Sequence, residues 1–80
     1  MHKTLTQDEA YKIALDLSLL QYDSLALVFI ELSKQLAIDS NADFERARPI
    51  LAQLLSNSSK ISFELSEELT KAWKICKPFM

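Results

Sequence analysis

The chain has 80 residues, 49% hydrophobic and 25% charged, with no glycine, two prolines, one cysteine and a net charge of −2. These counts allow one small domain and exclude doubly wound nucleotide folds and β-barrels, which need longer chains and glycine where backbone turns tightly or meets a phosphate. The basic residues are scattered from Lys3 to Lys77 rather than gathered in a stripe, which speaks against a nucleic-acid partner.

Cys76 is the single cysteine and His2 the single histidine, so neither an intramolecular disulfide nor an ordinary structural zinc site is expected. Packing alone must hold the fold, and no cofactor is expected. The opening residues run into the polar, acidic Gln7-Asp8-Glu9, unlike a signal peptide, and the longest apolar run, Leu25 to Ile30, is far too short to span a bilayer. A cytoplasmic location, at most peripheral to a membrane, is the expectation.

Thr6-Gln7-Asp8-Glu9 matches a capping box and predicts a first helix from about Gln7, with Leu5 placed to staple onto Ala10. Ala10, Ile13, Ala14 and Leu17 mark one of its faces, and Tyr11, Leu15 and Leu19 a second. Tyr22-Asp23-Ser24 reads as the next break, with Asp23 as cap, although neither glycine nor proline forbids a continuous helix there. A second helix from Ser24 to about Ile38 then places Leu25, Val28, Phe29, Leu32 and Leu36 on a core stripe. Ala26, Leu27, Ile30, Ala37 and Ile38 populate the opposite half.

Asp39-Ser40-Asn41-Ala42-Asp43 reads as a loop. Pro49 divides the following apolar period, predicting a short helix over 42–47, a bend at Arg48 and another short helix over 49–56, or else one kinked helix. Ser56-Asn57-Ser58-Ser59 reads as a second loop. A last helix follows, with Ile61, Leu65, Leu69, Ala72, Trp73 and Cys76 within an arc of about 120°, glutamates toward its start, lysines toward its end, and Pro78 closing it. The fold class is therefore all-α: a compact bundle of four to five amphipathic helices, in which breaks are made by Thr6, Asp23, Asn41, Pro49 and the Ser58-Ser59 pair rather than by glycine.

Chemistry is sparse. Cys76 and His2 are the only thiol and imidazole, at opposite ends of the chain, and Cys76 reads as a small apolar residue on the last helix. Glu64, Glu67 and Glu68 read as solvated charge at a helix start, and the Asp39 to Asp43 loop lacks the ligand spacing and glycine of a calcium loop. No catalytic or metal-binding residues are assigned, and the chain is read as a non-enzyme. Trp73 reads as core; Phe79 and Met80, beyond Pro78, are free to dock on the domain or on a partner.

The most informative feature is a surplus of apolar surface on the first two helices. Leu27, Ile30 and Ile38, opposite the core stripe, together with Phe79 form the candidate apolar contact surface, to be covered by other helices of the chain, by a second copy in a homodimer, or by lipid or a partner helix.

Five amphipathic segments ordered long, long, short, short, long, from Thr6 to Pro78, resemble the saposin-like fold, and in particular the Pas factor family of small bacterial proteins that lack the animal saposin cysteines. Only Cys76 is present here, and no functional residue carries over by motif. The resemblance implies a non-enzymatic protein that contacts membrane lipid or a secretion component and assists secretion of extracellular proteases. The alternative from another class is a cytoplasmic protein-binding regulator of anti-activator, immunity or inhibitor type.

Overall fold

The computed structural model describes residues 4–79. Within that span the chain is all-helical: α1 covers Gln7–Ser18, α2 Tyr22–Glu45 and α3 Pro49–Cys76, followed by a 3-10 turn at Lys77–Phe79. Three helices stand where four to five were expected. The two polar clusters read as loops, Asp39–Asp43 and Ser56–Ser59, are helical interior.

The start of α1 follows the sequence closely. Thr6 caps it, its hydroxyl accepting from the Glu9 amide at 3.1 Å while the Glu9 carboxylate accepts from the Thr6 amide at 3.1 Å. These two bonds favour the ionised carboxylate and hold Glu9 below its ordinary pKa. The break comes at Leu19–Gln21, slightly before the expected one, so Asp23 lies in the first turn of α2 instead of capping it, and Gln21 occupies the cap with no side-chain bond.

The α2–α3 connection does need a left-handed residue, contrary to the expectation from a glycine-free sequence. Ala47 has φ 60°. Its amide donates to Phe44 O at 3.1 Å and the Arg48 amide to Asp43 O at 2.9 Å, the paired bonds that close a helix in a Schellman turn. Arg48 also reaches back to the largely buried Asp43 carboxylate at 3.5 Å. Pro49 then opens α3 at its first turn, where a missing amide costs nothing.

α2 and α3 form an antiparallel hairpin that contains every buried residue of the described chain. α1 makes at most marginal contact with it and buries none of its own residues. The molecule is accordingly long and flat, 50 × 28 × 14 Å, with a radius of gyration of 15.1 Å, against about 12 Å for a compact chain of this length. The compact bundle expected from the sequence is replaced by one packed pair of helices and a satellite.

Two measurements test these local devices. Ala47→Gly relieves the left-handed strain, partly offset by glycine's greater unfolded-state freedom, and should raise the urea midpoint by an amount equivalent to roughly 0.5–1 kcal/mol. Because the Glu9 pKa is lowered in the folded chain, its cap contributes fully above the ordinary carboxylate range, weakens as pH falls below it and is lost as pH passes through the lowered folded value. Helicity by circular dichroism should therefore drop on acidification, and Glu9→Ala should start lower at neutral pH with a shallower acid decline.

Candidate functional site

The hairpin seam is built from small side chains at intervals of seven residues. On α2 these are Ala26, Ser33 and Ser40, and on α3 Ala52, Ser59 and Ser66, with Ser62 added. Ala26 is 3% exposed and Ser66 2%. Among the described residues the only buried apolar ones are two alanines, and the rest of the buried set is four serines and Asp43.

Such a seam requires close helix axes, because small side chains leave no space to fill. The serines use that closeness. Ser40 Oγ donates to Ala52 O at 2.6 Å, Ser59 Oγ to Ser33 O at 2.7 Å and Ser62 Oγ to Phe29 O at 2.8 Å, three bonds from side chain to backbone across the hairpin. Ser33 and Ser66 donate within their own helices, to Ile30 O and Phe63 O. Among the described residues no buried side-chain polar atom lacks a partner, so the polar seam carries no desolvation penalty for unmade bonds.

The large apolar residues are displaced to the two sides of the seam, and the sides differ. On one side lie Leu25, Val28 and Leu32 of α2 with Leu51, Leu54, Ile61, Leu65 and Ile75 of α3, while Leu36, Leu55 and Leu69 reach it half-buried from the seam edge. Leu54 and Ile61 are 58% and 64% exposed. Its charged residues are Glu68, in the row of Leu54, Ile61 and Ile75 between Ile61 and Ile75, Asp39, in the row of Leu25 and Leu32, and, beside the turn, Arg46 and Arg48. On the other side, shallow clefts are lined by Lys34, Lys60, Glu64, Glu67, Lys71 and Lys74 around Ile30, Ala37 and Phe63. The hairpin thus has an aliphatic face and a charged face.

This corrects the assignment of the core. Leu25, Val28, Leu32 and Leu36, read as the core stripe of α2, belong to the open aliphatic face, as do Ile61 and Leu65 of the last helix. Of the candidate contact residues, Leu27 is exposed and Ile30 half-buried, both toward the charged face. Ile38, three turns on from Leu27, is exposed on the same flank of α2, and Phe79, 86% exposed, lies in the 3-10 turn at the end of the hairpin away from the Ala47 turn. The structure leaves Leu27, Ile30 and Ile38 along one flank of α2 and sets Phe79 apart from them. The sequence signal that locates the seam, and so the aliphatic face beside it, is the seven-residue spacing of alanine and serine on both helices.

Trp73 and Cys76 lie half-buried near the end of α3, beside Leu20 and Tyr22 of the α1–α2 junction. The Cys76 thiol approaches Trp73 O at 3.7 Å; His2 and Met80 lie outside the described residues. No group of three or more histidine, cysteine or acidic side chains that could hold a metal ion occurs among the described residues. No described helix is long and apolar enough to cross a membrane. Comparison with protein families, curated proteins and solved structures finds no match to this chain.

Seam size is open to a direct substitution test. Ser66→Ala removes one intrahelical bond and keeps the close approach, so it should cost no more than about 1 kcal/mol. Ser66→Leu forces the axes apart and should cost about 3 kcal/mol or more, seen as a large fall in the urea midpoint.

Proposed function

We propose that this protein acts by binding rather than by catalysis, as a helical module that docks another protein chain on the aliphatic face of the α2–α3 hairpin. The observation that carries this reading is that face itself, a band of leucine, isoleucine and valine whose centre, around Leu32, Leu36, Ile61 and Leu65, is uncharged, with Glu68 toward one end and Asp39, Arg46 and Arg48 toward the other. Exposed apolar patches of this kind mark interaction surfaces. Its side chains project from two helices already held in a seven-residue repeat, the geometry that receives further helices knob into hole.

A protein partner suits the face better than lipid does. Helices that lie on membranes flank their apolar band with lysine and arginine to meet anionic headgroups. Here the charges along the face are of mixed sign, Asp39 and Glu68 with Arg46 and Arg48 at the turn, and the lysines of α3 cluster on the opposite face. The five-segment layout behind the resemblance to Pas factors is also replaced by three helices, without two leaves to part. The reading therefore follows the binding-regulator class, with a protein in the place that lipid or a secretion component would take.

Site-specific photo-crosslinking in living cells tests it. A photoreactive residue at Leu32 or Ile61 should give discrete protein adducts, and the same residue at Leu27, on the charged side, should give few. Equal crosslinking from all three positions, or co-sedimentation of the purified chain with neutral or anionic vesicles in place of protein adducts, would overturn it.

A further inference from the structure

We infer that the occupant of the aliphatic face is a second copy of this chain, so that two hairpins stack face to face as a four-helix, two-layer core. This rests on the protein-docking reading above and names its partner. The first support is area. The chain exposes 6639 Å², whereas a folded monomer of 9.1 kDa should expose about 4,900 Å². The surplus of about 1,700 Å² per chain is shared between the open hairpin and the detached α1, and the hairpin's part need only reach about 1,000 Å² per copy to match the roughly 2,000–5,000 Å² that obligate dimers remove over both partners.

The dimensions of the face agree. α2 has 24 residues and is therefore about 36 Å long. With α3 alongside, the hairpin offers a strip about 20 Å wide at ordinary helix diameters, enough to bury on the order of 1,000 Å² on each copy.

The second support is the number of layers. A stable core lies between two layers of secondary structure, and this chain packs only one, since α1 makes at most marginal contact with the hairpin and buries nothing. A third support is self-complementarity. The centre of the face, around Leu32, Leu36, Ile61 and Leu65, carries no charge that asks for an opposite charge on a partner. An uncharged aliphatic surface with the same repeat on both helices meets its own copy across a two-fold axis without conflict.

Sedimentation velocity on the full chain, with urea unfolding at several concentrations, tests the inference. The expected result is a species of twice 9.1 kDa whose unfolding midpoint rises with concentration, as required when folding and association are linked. Leu32→Glu and Ile61→Glu should abolish the dimer, and Leu27→Glu should leave it intact; both halves of the comparison alter exposed positions. Even where a face variant fails to fold once monomeric, the concentration dependence of the unsubstituted chain still decides the matter.

A wild-type monomer at every concentration, with a midpoint independent of concentration, would overturn the second copy. If such a monomer binds a hydrophobic dye that Ile61→Glu abolishes, the docking face stands and its partner is another protein. If instead its Ile61 methyl is shielded from a soluble paramagnetic reagent, the chain covers its own face and both readings fail.

Discussion

The close approach of α2 and α3 over alanine and serine is the constraint on which the other features of this molecule depend. Two helices that meet through Ala26, Ser33 and Ser40 against Ala52, Ser59 and Ser66 leave no room between them for a leucine. The aliphatic residues must therefore stand to either side, and a sequence rich in them acquires a large open surface as a result of packing well. The serine hydroxyls reach backbone carbonyls on the facing helix at 2.6–2.8 Å only because the backbones are near. Those bonds in turn fix the register of the hairpin, which apolar contact alone leaves loosely specified.

The same seam explains what could and could not be read from the sequence. The capping box at Thr6 and Glu9 and the helix start at Pro49 are local, each decided by neighbours within one turn, and both were legible. The polar clusters at 39–43 and 56–59 were not. Serine and asparagine favour loops because their side chains compete for backbone groups, and that preference is reversed here by partners across the hairpin and one turn away on the same helix. Ser40 and Ser59 donate across the hairpin, Ser58 donates to Leu54 O at 2.9 Å, and the Asn57 carbonyl accepts from Gln53 at 2.9 Å. Ala47 was hidden for a related reason, since a left-handed alanine carries no sign in its composition and the paired bonds of the turn hold it there.

Assignment of the core failed through the common premise that the most hydrophobic stripe of a helix faces inward. In α2 the stripe of Leu25, Val28 and Leu32 is strongly periodic, but periodicity states only that the residues share a face. Which face meets the neighbouring helix depends on how near that neighbour comes. For the binding surface, the excess of apolar area was legible in the composition, whereas its position was not: Leu27, Ile30 and Ile38 lie along the flank of α2 away from the aliphatic face, and Phe79 lies apart in the 3-10 turn. The aliphatic face, the weakly attached α1 and the surface in excess of a compact monomer are then one property seen three ways: a single packed layer that docking would complete.

The small-residue seam is tested most directly by nuclear Overhauser spectroscopy on labelled chain diluted into unlabelled chain, so that contacts within one molecule are seen alone. The account predicts close intrachain contacts from the Ala26 methyl to the Ser66 β protons and from Ser40 to the Ala52 methyl. Intrachain contacts joining Val28 and Leu32 to Ile61 and Leu65 as the centre of the helix pair, with Ala26 and Ser66 remote from one another, would contradict it.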